Sequence, residues 1–318
     1  MRHATAPDIA SPLAPSAAIA PSDKGYLLHG QRMTAPTLAP GLHIVATPIG
    51  NLGDITLRAL ATMAAADRIV CEDTRVTSRL TQHFGMNASL IAYNDHNAPR
   101  VRPQILEALA RGEAVVLVSD AGTPLVSDPG YKLVRAAIEA GVVVHALPGP
   151  CAAIAALAVA GLPTDRFFFE GFLPAKDGAR ASRLAELKAI PATLIFYETG
   201  PRLVDSLAAM ATVLGDRSAV VARELTKLHE TVYRGTLVSL ATDFGLADEP
   251  RGEIAVVVGP PLEERATAED LDGALATALG TLSVKDAAAS VAARLGLPRR
   301  DVYARAVELA AARRAGQP

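Results

Sequence analysis

Residues 119–130 read SDAGTPLVSDPG and follow the apolar run Ala114-Val115-Val116-Leu117-Val118. A strand that breaks into a glycine-rich loop and then a helix is the usual seat of a phosphate. The aspartates argue otherwise, because a carboxylate held about 4 Å from a phosphate is repelled by several kcal/mol at an effective dielectric near 20. Neither GxGxxG after a strand nor GKS or GKT is present, so both common phosphate cradles are missing. A cationic ligand reverses the objection. A sulfonium is favoured by nearby carbonyls and carboxylates, and S-adenosylmethionine adds an adenine, a ribose diol and an amino-acid head that backbone groups can bind. Glycine allows close backbone approach, and proline stiffens a site that must be formed before its ligand arrives.

Three more loops of this kind follow apolar runs: residues 47–52 (TPIGNL), 72–75 (EDTR) and 148–150 (PGP). Each alone is an ordinary tight turn. Together they fall where open α/β sheets bind ligands, beyond the carboxyl ends of the strands.

These loops need a scaffold of alternating elements. From Leu42 onward, LHIVAT, RIVC, SLIAY, AVVLVS and VVVHAL alternate with helical stretches. Short β-branched runs between helices predict a parallel sheet buried on both faces. The second half, with FFFEGFLP, TLIFYE, SAVVARELT, ETVYRG and EIAVVVG, carries only two useful helical stretches among five strands, which predicts an antiparallel or mixed sheet. Asp128 and Pro129 read as the N-cap and first turn of the helix after the aspartate-bearing loop. The expected layout is a disordered Ala/Pro/Ser extension over 1–40, α/β domains over 41–148 and 149–262, and a helical tail over 263–318. In that tail Ser283 N-caps one helix and Pro298 precedes another, a helix-turn-helix-like pair that is read equally well as a small packing bundle.

Composition sets the outer limits. Half of the 318 residues are apolar, and 31 lysines and arginines face 33 aspartates and glutamates. No global basic field draws the chain to nucleic acid, so any polyanion must meet a local patch. Two cysteines, Cys71 and Cys151, without CxxC or HExxH, indicate neither a disulfide framework nor a metal site and fit a reducing cytoplasm. No apolar run reaches the length of a membrane span.

The motifs TPIGNLGDITLRAL, CEDTRVTSRLTQHFG, SDAGTPLVSDPGYKLVRAAIEAG, LPGPCAAIAALAVAGLPTDRFFFEGFLPAK, TLIFYETGPRL and ARELTKLHETVYRG together resemble the ribosomal RNA small subunit methyltransferase I family, within the tetrapyrrole-methylase superfamily. The resemblance spans about residues 42–261, and the tail is similar to that family's helical extension. It implies a two-domain, tetrapyrrole-methylase-like α/β fold of the class III S-adenosylmethionine methyltransferases, with a small C-terminal helical domain. It also implies a homodimer, S-adenosylmethionine as cofactor, and 2'-O-methylation of a cytidine ribose in 16S rRNA near the decoding centre, on free rRNA or the small ribosomal subunit. By motif, the cofactor residues are Pro48, Gly50, Ser119, Asp120, Ala121, Gly122, Thr123, Pro148, Gly149, Cys151, Ala152 and Tyr197, with further contacts from residues 222–225. Corrin and porphyrin methylases share the proline-glycine loops but not GFLPAK and RELTK, so precorrin-type C-methylation is the alternative. A ligand-sensing DNA-binding regulator is a weaker one, since RRDVYARAVELAAARR has few residues that read base edges.

Methyl transfer to a ribose hydroxyl is an in-line displacement in which alignment supplies most of the rate, helped by a base or by a cation near the developing alkoxide. Two charged clusters offer these groups. Asp73 or Glu224 is the candidate base, and Arg75 or Lys227 the cation; the same residues read equally well as ion pairs joining the domains. Candidate RNA contacts are Lys176, Arg180 and Arg183 after GFLP, and Arg299 and Arg300 in the tail, although charged helices are usually solvated faces. The tetrapeptide Asn94-Asp95-His96-Asn97 reads as a turn more readily than as a substrate contact.

Overall fold

A computed structural model of the chain describes residues 24–261 and 268–315. Two compact units are present, Met1–Pro261 and Leu262–Pro318. In the first, the leading sheet is built from β3 (Gly41–Val45), β4 (Arg68–Cys71), β5 (Leu90–Ala92), β6 (Ala114–Val118) and β7 (Val144–Leu147), in spatial order β5-β4-β6-β3-β7. Every pairing is parallel. Helices α1 (Leu57–Ala65), α2 (Thr74–His83), α3 (Ala98–Ala110) and α4 (Tyr131–Glu139) form the crossovers.

The period of two in β6 shows why the strands are apolar throughout. Val116 and Val118 pack with Leu60 and Met63 of α1 on one face, while Val115 and Leu117 pack with Ile105 of α3 and Leu133 of α4 on the other. Burial on both faces removes the polar alternation of a solvated sheet. Thr56 caps α1 by accepting from the Ala59 N–H at 3.0 Å, and Asp73 caps α2 from the Arg75 N–H at 2.8 Å.

The second sheet has the order β11-β10-β12-β9-β8, from β8 (Phe167–Phe172), β9 (Thr193–Thr199), β10 (Ser218–Arg223), β11 (Thr231–Thr236) and β12 (Glu253–Val258). It is mixed, as expected: β8 and β9 run parallel, and the other pairs are antiparallel. Three helices rather than two accompany it, α6 (Asp177–Leu187), α7 (Gly200–Leu214) and α8 (Leu237–Leu246). They cover one face through Leu184, Leu203, Leu207 and Leu240. The opposite face is covered by α5 (Ala152–Ala160), which follows β7 and ends on Gly161 in the left-handed conformation, φ 71°. Ile49, from the loop after β3, joins the same cluster with Ala156, Ile195, Val220 and Ala255. That apolar contact seats the first sheet's loops on the second.

The extension expected over 1–40 needs correction in its described part, which begins at Lys24. β1 (Gly25–Leu28) and β2 (Gln31–Thr34) form an antiparallel hairpin, and Tyr26 and Ala35 are buried beside Met63 of α1. Lys24 Nζ donates to the Ala65 and Ala66 carbonyls at 2.9 and 3.0 Å and pairs with Asp67 at 2.8 Å. A cation on the last carbonyls of a helix satisfies orphan acceptors and opposes the negative end of the dipole. Residues 1–23 lie outside the described residues.

The second unit contains α9 (Ala268–Ala278), α10 (Val284–Leu295) and α11 (Arg299–Ala315), around Leu275, Val291, Val302 and Ala306. Ser283 caps α10 as expected, and Gly296 closes it at φ 65°.

Candidate active site

The loops beyond the first sheet are stapled to one another. Thr47 and Gly122 exchange backbone N–H···O bonds of 2.9 and 3.0 Å. The Thr47 hydroxyl donates to the Ser119 carbonyl at 3.1 Å, and the Thr123 hydroxyl to the Pro150 carbonyl at 2.9 Å. Gly122 has φ +82°, and a Cβ there would press on Ile49 at 3.2 Å, so glycine serves both the turn and the close approach.

Between these loops and the second sheet lies a cleft of about 420 Å³. Of the expected cofactor residues, Asp120, Ala121, Gly122, Thr123, Cys151, Ala152 and Tyr197 line it, and Ala222 and Leu225 contribute apolar surface from the second sheet. The other five stand outside the lining. Ser119 is buried, with its hydroxyl donating to the Gly122 carbonyl at 3.0 Å, so it shapes the loop from behind. Gly149 lines a neighbouring cavity. Gly50, at φ +151°, lies under the Lys227 side chain. Pro48 and Pro148 flank the loops without lining the cleft. Tyr197 accepts from the Ala153 N–H at 3.1 Å, which ties β9 to the start of α5. Burial pushes its phenol up to about 12.

Sequence reasoning missed Asp128. It was read as a helix cap, but α4 begins at Tyr131 behind Gly130, which makes no side-chain cap. Leu125 and Ser127 adopt left-handed φ of 77° and 62°, and Asp128 lines the cleft. Its pKa is pushed up to about 6 by burial and by the Glu72 and Asp120 carboxylates, with the Ser119 hydroxyl opposing. Burial and neighbouring acids also raise Glu72 and Asp120. The cleft is therefore crowded with negative charge. Gly252, Glu253, Ile254 and Ala255 line it as well, because β12 pairs between β9 and β10. No local motif announces such a placement.

The proposed bases are placed differently from expectation. Asp73 is held down to about 2 by the Arg75 guanidinium and N–H, with Arg75 Nη2 at 2.6 Å. Glu224 is lowered by Lys227 and by the Glu253 N–H. Lys227 Nζ lies 2.8 Å from both Glu224 and Glu253; burial works against its charge, but the two carboxylates outweigh this and raise it. A carboxylate stabilised as an anion is a weak proton acceptor. Asp73 and Glu224 are thus geometrically anchors for Arg75 and Lys227. The peptide around Glu224 is strained, with Glu224 at φ 52° and Thr226 at φ 66°, a feature that concentrates at functional sites.

Among the basic residues, Lys176, Arg299 and Arg300 are exposed. Arg180 is not free for phosphate as expected: it is 6% exposed and paired with Asp177 at 2.8 Å. Arg183 is held by Glu170 and Glu186. The Asn94 to Asn97 stretch is a self-bonded turn, with the Asn94 N–H on Asn97 Oδ1 at 2.9 Å.

A parallel and a mixed sheet enclosing one acid-lined cleft define the tetrapyrrole-methylase class of fold. Residues 41–241 match the family Tetrapyrrole (Corrin/Porphyrin) Methylases, and residues 265–310 match the RsmI C-terminal HTH domain. A crystal structure of diphthine synthase, 19% identical, superposes with a TM-score of 0.55 over 69% of this chain and 89% of its own; at that identity it bears on the fold alone. The chain is 52% identical to the ribosomal RNA small subunit methyltransferase I of Erythrobacter litoralis, over 87% of this chain and 98% of that protein. It is 49% identical to the protein of that name from Mesorhizobium japonicum, over 86% and 94%. The chain belongs to the ribosomal RNA small subunit methyltransferase I family.

Proposed function

We propose that the protein is an S-adenosylmethionine-dependent methyltransferase that methylates the 2'-hydroxyl of a cytidine ribose in 16S rRNA, near the decoding centre. The observation that carries this reading is the cleft itself, in a chain about half identical to its rRNA methyltransferase relatives. Its chemistry fits the cofactor. Asp120 and Asp128 suit a cationic centre, while Ile49, Ala222, Leu225 and Ala255 supply apolar walls. The missing Cβ at Gly122 lets Ile49 close on the loop, which fixes the wall of the cleft. When bound, the cofactor supplies an electrophilic methyl group.

The protein's own part is alignment and charge. Preformed, stapled loops hold the site without ordering cost at binding. The hydroxyl proton must leave, and Asp120 and Asp128, raised by burial, are better matched to accept it near neutrality than Asp73 or Glu224. Arg75, highly exposed beside Asp73, is the cation assigned to anionic substrate, whereas Lys227 is committed to Glu224 and Glu253. Lys176, Arg299 and Arg300 extend this to RNA phosphates. Exposed Tyr131 and Ile138 on α4 and Val143 before β7, at 67, 59 and 60% exposure, supply an apolar face for a second copy in a homodimer acting in the cytoplasm.

Mapping 2'-O-methyl groups in small-subunit rRNA from cells with and without the gene tests the reading. One cytidine is expected to lose its mark. In vitro, tritiated methyl is expected in rRNA as an alkali-resistant dinucleotide; its appearance in a tetrapyrrole instead would overturn the proposal.

A further inference from the structure

Beside the main cleft is a second cavity of about 300 Å³, lined among others by Ile49, Asp54, Gly149, Pro150, Cys151 and Thr226. Ile49 and Cys151 line both spaces, so the two share a wall. Two polar atoms of its lining, Asp54 Oδ2 and Thr226 Oγ1, are buried without a hydrogen-bond partner. Buried polar atoms are nearly always paired, so two orphans at one cavity call for a partner there, a water that a ligand can displace or the ligand itself.

Both residues are held in place by their backbones. Asp54 ends a short 3-10 turn, Leu52–Asp54, with its N–H on the Asn51 carbonyl at 3.0 Å and with Asn51 Oδ1 accepting from the Gly53 N–H at 2.9 Å. Thr226 is kept in its left-handed conformation by its N–H on Glu230 Oε2 at 2.6 Å. They belong to two different sheets' loops, and neither has another role in the described structure. A β-branched residue with φ > 0 is a costly choice.

We propose that this cavity receives the base of the target nucleotide and that Asp54 selects cytosine over uracil, with Thr226 bonding the neighbouring N3 position, an inference that rests on the ribose-methylation reading above. Cytosine presents an exocyclic amine, a donor, beside N3, an acceptor. A carboxylate accepts from the first, and a threonine hydroxyl donates to the second. Uracil places O4 against a carboxylate lone pair, a repulsive pairing, while the threonine hydroxyl can rotate to accept from the uracil N3–H, so the discrimination falls on Asp54. With the base in the side cavity, the attached ribose lies at the Ile49–Cys151 wall, bordering the main cleft. Splayed, unstacked bases read along their Watson–Crick edges are the usual means of sequence recognition in RNA.

The test uses the full-length protein and small-subunit rRNA particles carrying either C or U at the methylated position. Wild type, Asp54→Asn and Thr226→Val are compared in kcat/KM, with cofactor affinity by calorimetry and the unfolding midpoint measured alongside. Wild type is expected to prefer C by about 100-fold or more, the range set by leaving buried polar groups unmatched. Asp54→Asn, whose amide can donate to O4, is expected to reduce the preference below about 10-fold with cofactor affinity intact. Thr226→Val, nearly isosteric, is expected to lower kcat/KM on both particles alike, and Asp54→Ala, measured in the same way and expected to weaken the preference, answers the question if Asp54→Asn does not fold. Wild-type selectivity in the Asp54 variants, or a wild type indifferent to C and U, overturns the assignment while leaving ribose methylation standing. A wild type that transfers no methyl to rRNA overturns both.

Discussion

At the scale of single residues, Asp128 carries the sharpest consequence. Its carboxyl holds a proton more tightly in the fold than in the unfolded chain, at about 6 against an ordinary 3.8. Its ionisation therefore costs stability as pH rises through that window, and the cost is absent below it. Asp128→Asn is expected to stabilise the protein by about 1–3 kcal/mol at pH 7 and by nothing below about pH 4, read from unfolding midpoints across pH. The same variant should bind the cationic cofactor more weakly, and it should lack the rise in affinity expected of wild type as pH passes about 6. A pH-independent wild-type affinity would remove Asp128 from the cofactor's surroundings. None of this was legible in the string SDAGTPLVSDPG, where Asp-Pro reads as a helix start. The left-handed Leu125 and Ser127 that turn Asp128 into the cleft are residues with no local preference for that conformation. The glycines of the same loop were legible, since close approach has a direct signature in residue type. Asp73 and Glu224 were read from sequence as bases or as ion-pair partners, and their contacts with Arg75 and Lys227 favour the second role; partners two and three residues away were readable in sequence, and their short contacts were not.

At the scale of elements, the seam between helix and loop is tight at α7. A Cβ on Gly200 would fall on the Pro250 carbonyl oxygen, and backbone cannot yield as a side-chain tip does. Gly200→Ala is expected to destabilise by about 3 kcal/mol, the upper part of the overpacking range, and to lower the unfolding midpoint by roughly 5–10 °C. An unchanged midpoint would mean that the 250–252 turn yields freely. The parallel strands were legible because burial on both faces leaves unbroken β-branched runs such as Ala114–Val118. Ser283 announced a helix start by capping chemistry. The hairpin was not legible: β2 is exposed at all four positions, so QRMT shows no alternation, and its partner owes its order to packing on α1. Propensity is a weak guide where tertiary contact decides.

At the scale of the whole molecule, the two compact units invite separation. The cleft is lined wholly by residues of Met1–Pro261. Removing residues 262–318 is therefore expected to leave cofactor affinity unchanged while weakening RNA binding and reducing the salt slope by about 1–2, the loss of phosphate contacts such as those assigned to Arg299 and Arg300. Filter binding across a salt series measures this, and an identical slope would make the second unit a packing domain. In that unit Arg305 is committed to Asp272 at 2.7 Å and to Glu308, so not every arginine of the tail is available to RNA. The hairpin at the other end reaches beyond the fold into gene expression. β2 contains Met33, and a ribosome that began there would make a chain lacking β1, Tyr26 and Lys24. Such a product would leave β2 without its partner strand and the end of α1 without its ammonium. Choosing the start codon is thus also a choice of tertiary structure, and only initiation upstream of Lys24 delivers the hairpin.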